Sequence, residues 1–283
     1  LLTRPVVHCP PDCLAIRQDE KQELPQTAVP SLFRNANPTI PEEPAMKTAR
    51  SHIAIHTAVA VAVAIGLATV LVPMACPEIK KQISTFCELA FLGLPNTVLL
   101  VGLLFCHSHA VPRYRWGIVG ALVFSQAGGY MMGVHNGFVS GVLLYLVANL
   151  FYITAFSVGV RFGKRIFPFV IYGSYAACIL CLTWNYIAHG MHLPFVLYCL
   201  TIVSVPSQAL TRYLAFRKRS MLYAALGAPC LLISDSIIIL NAYYTRWEWW
   251  SFLIQITYFV GQWFIVLSVL NAEPETSHTT ETA

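Results

Sequence analysis

Residues 221–243 read MLYAALGAPCLLISDSIIILNAY: twenty-three positions with a single formally charged side chain, Asp235. About 20 mostly apolar residues suffice for a helix to cross the hydrocarbon core of a bilayer. Irregular backbone cannot face lipid, so the stretch predicts a transmembrane helix. Asp235 lies 14 residues beyond Met221, or about 21 Å along the axis at 1.5 Å per residue. A carboxyl at that depth is costly and points to a cavity or a partner rather than to lipid. Asp235 is therefore the first candidate functional residue.

The same apolar texture recurs on either side. Of 283 residues, 57% are hydrophobic and 11% are charged, under half the roughly 25% charged residues usual in soluble domains. This composition excludes collagen-like, disordered, coiled-coil and secreted disulfide-framework chains. Eight spans are predicted, at 53–73, 88–106, 116–132, 138–158, 166–184, 193–211, 221–243 and 249–270, giving an all-α integral membrane bundle. The third is short. Pro95, Pro206 and Pro229 fall inside spans and predict kinks that neighbouring helices repair. The formal net charge of +5 is carried in short basic clusters between apolar runs, which argues for a membrane topology signal and against nucleic acid.

Lys47, Arg50, Arg113, Arg115, Arg161, Lys164, Arg165, Arg212, Arg217, Lys218 and Arg219 fall on one side of the predicted bundle, against Lys80, Lys81 and Arg246 on the other. The positive-inside rule places both termini in the cytoplasm, in the endoplasmic reticulum or plasma membrane. Trp247, Trp249 and Trp250 fit an interfacial aromatic belt on the outer side. Residues 1–50, rich in proline and charge without helical period, read as a disordered cytoplasmic tail, and 271–283 as a short acidic one. The chain opens on Leu1, and Met46, directly before Lys47, is a candidate natural start.

Of nine cysteines, Cys178 and Cys181 form a CxxC inside a span without a second pair. They are expected to be buried small apolar residues. Cys76 and Cys87 flank one outer loop, where an oxidising compartment would permit a disulfide. His107, His109, His189 and His192 fall in loops without metal-binding spacing, so no metal is expected. Neither GxSxG nor a phosphate loop nor a dinucleotide fingerprint is present.

Inside the spans, Phe138, Gly141, Tyr145, Asn149, Tyr152 and Phe156 recur every three or four residues and share a helix face. Tyr258 and Gln262, four apart, also stack on one face. Such polar groups hydrogen-bond across helices for about 1 kcal/mol each. Ser125, Gly128 and Gly129 form a small-residue face, suited to close helix approach or to a ligand.

Together these residues resemble the YhhN family, the lysoplasmalogenases. The matching segments are Gly227-Ala228, Ser234-Asp235, Thr257-Tyr258 with Gln262, and Leu267-Ser268-Val269-Leu270. Phe124-Ser125 through Gly128, Phe138, Gly141, Tyr152 and Ala155-Phe156 match a second block. The resemblance covers roughly residues 53–270. It implies an eight-helix membrane hydrolase that cleaves the vinyl ether of lysoplasmalogens to a fatty aldehyde and a glycerophospho-choline or -ethanolamine. No cofactor is implied. Asp235 would be the catalytic acid, with Asn149, Tyr152, Ser234, Tyr258, Gln262 and Gly129 as substrate-binding residues. The sequence departs from the family pattern twice. Gly129 stands where the family has an aspartate, and Asn149 where it tends to have a histidine. A degenerate, non-catalytic lysolipid-binding member is the first alternative, and a transporter using Asp235 as its ion site the second. Spans three and seven place Gly129 and Asp235 at matching depth.

Overall fold

The computed structural model describes residues 85–273 except 136, 188 and 248, together with part of 53–71; residues 85–92 and 189 are described in backbone alone. The expectations for 1–50, for the loop carrying Cys76, for the side chain of Cys87 and for 274–283 lie outside the described residues. All described residues belong to the unit Glu43–Ala283.

The fold is all-helical: no strand occurs among the described residues. Helix α1 includes His56–Ile65. It is followed by α2 (Thr85–Phe105), α3 (Pro112–Gly133), α4 (Phe138–Phe156), α5 (Phe167–Thr183), α6 (His192–Phe216), α7 (Arg219–Tyr243) and α8 (Trp250–Leu270), with two 3₁₀ turns between α5 and α6. Five of them, α4 to α8, are long and apolar enough to cross a membrane, with α5 extended to Tyr186. This is a multi-pass membrane protein. The apolar parts of α1 and α2 are shorter, at His56–Ile65 and Gly93–Phe105. The expected short third span is instead a 22-residue helix. It begins earlier than expected because Pro112 suits a first helical turn. Its polar residues Ser125, Gln126 and Tyr130 face a cavity.

Two antiparallel pairs, α3 with α4 and α7 with α8, form the closest associations. Each depends on small residues at the crossing. A Cβ on Gly141 would lie 3.0 Å from the Gly128 carbonyl oxygen and 2.5 Å from Met132 Cγ. A Cβ on Gly227 would lie 2.6 Å from the Gly261 carbonyl oxygen, and one on Gly261 2.9 Å from that of Gly227. Helix α6 joins the pairs by touching α4 and α7, while α2 bridges α3 and α8. Helix α5 packs mainly against α6 and α7 and is largely exposed among the described residues.

The core contains Leu99, Ile118, Leu122, Phe156, Ala228 and Ile265. Val59 of α1 joins it, and Trp263 donates its indole N–H to His56 Nδ1 at 3.3 Å. Pro95, Pro206 and Pro229 each sit within a continuous helix. Ser207, Thr211, Ser236 and Thr257 return their hydroxyls to carbonyls four residues back, so they present no unsatisfied donor to lipid. Cys178 and Cys181 correct an expectation: both are exposed free thiols. They lie on the outward face of α5, which no described residue covers.

The α2–α3 junction is clasped by Arg115. Its guanidinium donates to the Leu103, Leu104 and Cys106 carbonyls at 2.7, 3.0 and 3.1 Å. These are carbonyls that the end of α2 leaves without helical partners.

Candidate functional site

Asp235 is 8% exposed and points into the bundle, as the cost of a carboxyl facing lipid requires. Its Oδ2 accepts a hydrogen bond from the Tyr198 hydroxyl at 2.5 Å. The pairing follows from the α6–α7 hairpin. Tyr198 lies nineteen residues before the turn residue Arg217 and Asp235 eighteen after it, so antiparallel helices bring them to one level. Arg217 makes that turn in the left-handed conformation, φ 55°. Tyr198 was not singled out from sequence. The hairpin depth count, together with the inward face Phe195, Tyr198, Ile202 and Val205, is the signal that identifies it.

Two small cavities meet here. The first, about 90 Å³, is lined by polar groups from five helices, among them Asn96, Ser125, Tyr145, Ser234, Gln255 and Tyr258, with Gln126 and Gly129 also in its wall. The second, about 50 Å³, holds Asp235 and Tyr198 among apolar side chains including Val142, Leu143, Phe195 and Ile239. Tyr145 and Ile238 line both and form the partition. The rings of Tyr145 and Tyr258 meet edge to face at 6.4 Å.

The sequence candidates therefore divide. Gly129, Ser234 and Tyr258 line the polar cavity and Asp235 the apolar one. Asn149, Tyr152 and Gln262 line neither. The Tyr152 hydroxyl donates to Gln262 Oε1 in a buried cross-link between α4 and α8. Asn149 Nδ2 and Gln262 Nε2 have no hydrogen-bond partner among the described residues, an unusual state for buried amides. Ser234 donates to the Ile254 carbonyl at 3.1 Å, which ties α7 to α8 beside the cavity. The small-residue face of α3 provides the close helix approach expected of it at Gly128, while Gly129 borders the polar cavity. Gly128 admits α4, whereas a Cβ on Gly129 would meet only the Tyr145 hydroxyl, at 3.4 Å, an ordinary contact. Asn96, Gln126, Tyr130 and Gln255 are further lining residues that carried no motif. Their helix faces become identifiable only once α2, α3 and α8 are packed together.

Chemically, the arrangement offers one carboxyl held by a phenol, an apolar recess beside it, and a polar recess across one aromatic ring. Among the described residues, Asp235 is the only carboxylate on either lining. No curated protein and no solved structure matches the chain. The pattern of the YhhN family matches residues 89–269. That stretch runs from α2 almost to the end of α8 and includes every lining residue of both cavities, and the chain belongs to the YhhN family.

Proposed function

We propose that the protein is a lysoplasmalogenase-like membrane hydrolase that cleaves the vinyl ether of alkenyl-glycerophosphocholine or -ethanolamine. The observation that supports this reading is the position of Asp235, a buried carboxyl between an apolar and a polar recess. The alkenyl chain enters the apolar recess and extends between helices into the bilayer. The glycerophospho portion occupies the polar recess near Ser125, Ser234 and Tyr258. The vinyl ether then lies at the Tyr145 partition.

In the first step the protonated Asp235 carboxyl transfers its proton to the β-carbon of the vinyl ether, leaving a carboxylate and an oxocarbenium ion. Water adds to the cationic carbon and loses a proton to that carboxylate. The hemiacetal then collapses to a fatty aldehyde and the glycerophospho-base. Tyr198 holds the carboxyl in place and stabilises its charged form by hydrogen bonding. Asn149, Tyr152 and Gln262 act behind the lining, as an orienting layer around Tyr145 and Tyr258. The termini face the cytoplasm, and Asp235, 18 residues beyond the turn residue Arg217, lies toward the opposite leaflet.

One observation favours a second reading, a lysolipid-binding member without catalysis: Gly129 leaves the polar recess without a carboxylate to stabilise the cation or orient water. Aldehyde release from lysoplasmenyl lipid by the purified protein separates the two. Turnover abolished by Asp235→Asn supports the hydrolase. Lysolipid binding without turnover supports the binding protein.

A further inference from the structure

At the end of the bundle away from Asp235, a third cavity of about 60 Å³ is lined by His109, Tyr114, Arg212, Lys218, Ser220 and Glu273, among others. Arg212 is 6% exposed, and its Nε and Nη1 have no hydrogen-bond partner among the described residues. The guanidinium stacks 3.9 Å over the centroid of the Tyr114 ring. Tyr114 is fixed in turn by a 2.5 Å hydrogen bond with Ser268. Burying a cation with open donors is expensive unless an anion completes it. The aromatic face of Tyr114 compensates the charge in part, while Nε and Nη1 still lack an acceptor among the described residues.

A second feature converges on the same space. Helix α7 starts at Arg219 after Lys218, with no side-chain cap and no acidic residue in its first turn. Its first N–H groups and the positive end of its dipole lie at Ser220 and Lys218, on the cavity wall. The left-handed Arg217 is what turns the chain abruptly enough to bring this helix start beside Arg212. A non-glycine residue in that conformation is held there by its surroundings.

We infer that Arg212, Lys218 and the α7 N-terminus form a binding site for a phosphate oxyanion, separate from the Asp235 site. Arginine offers the planar donor fork that matches phosphate geometry, lysine a mobile charge, and the helix start its backbone donors. Ser220 and Asp235 are 15 residues apart on one helix, about 22 Å at 1.5 Å per residue. The short glycerol bridge of a lysolipid cannot span that distance, so this is not the headgroup recess of the catalytic site. The oxyanion is carried either by a lipid headgroup of the adjacent leaflet or by free phosphate. Glu273 stands at the rim as the competing carboxylate of the chain itself.

The full chain tests this in two arms. In the first, inorganic phosphate is titrated into detergent-purified protein against equal ionic strength of chloride, with the thermal midpoint as readout. In the second, the protein in phosphatidylcholine nanodiscs with or without phosphatidic acid is examined by native mass spectrometry for retained lipid. A specific phosphate shift identifies the free ion, and selective retention of phosphatidic acid identifies the lipid. Either response is expected to fall at least tenfold in affinity in Arg212→Met, to fall in the half-buried Lys218→Ala, and to rise in Glu273→Gln. Lys218→Ala removes no core contact and keeps the test valid if Arg212→Met does not fold. The inference is overturned if wild type responds to neither probe beyond chloride or phosphatidylcholine. It is also overturned if Lys218→Ala and Glu273→Gln leave the response unchanged.

Discussion

At the residue scale, the proposed site rests on a carboxyl, a phenol and a glycine: Asp235, Tyr198 and Gly129. Asparagine at 235 keeps the volume but delivers no proton, so Asp235→Asn is expected to abolish aldehyde release at equal folded amounts. Position 129 has room: the first atom added there meets only the Tyr145 hydroxyl, at 3.4 Å. Gly129→Asp is therefore expected to raise the rate of vinyl ether hydrolysis about tenfold or more, with some loss of thermal stability from a second buried carboxyl. An unchanged rate in a well-folded Gly129→Asp protein would detach the polar recess from the chemistry. Tyr198→Phe removes the sole hydrogen bond described for the Asp235 carboxyl and is expected to cost about 1–3 kcal/mol of stability. Its rate should fall without loss of lysolipid binding. Asp235 was legible in the sequence because charge in an apolar run is conspicuous. Tyr198 was not, because a tyrosine in a span signals nothing until its partner's depth is known.

Helix pairing is set by glycine, and this is where the element scale yields its own test. Gly227 and Gly261 bring α7 and α8 into backbone contact, and that contact holds Ser234 close enough to donate to the Ile254 carbonyl. Gly227→Ala is expected to lower the thermal midpoint, at about 1–3 kcal/mol for the overpacking. Gly173→Ala, on α5 with nothing within 4 Å of the added atom, should instead be neutral or gain about 0.5–1 kcal/mol of helix propensity. Equal effects at the two positions would contradict the crossing. Helix positions were readable from hydropathy to within a few residues. Which small residues mark crossings was not, because Gly128 and Gly129 are adjacent in sequence and differ only in the direction each faces. Cys178 and Cys181 were misread for a related reason: an apolar helix carries no mark of which face lacks a neighbour.

Taken as a whole molecule, the bundle concentrates its cationic groups at the end opposite Asp235, near the α2–α3, α4–α5 and α6–α7 turns. The proposed orientation, with both termini cytoplasmic, is tested by a tag after residue 283: on plasma-membrane protein it should be inaccessible until cells are permeabilised, and labelling of intact cells would reverse the assignment. Not all of that charge is free to act on lipid. Arg115 spends its donors on three carbonyls of α2. A charge swap at 115 designed to invert the protein in the membrane would therefore also unlatch a helix hairpin, and the two effects would be read as one. Arg113, two positions earlier, carries the same sign and is exposed. Of this pair it is the residue on which charge alone can be varied.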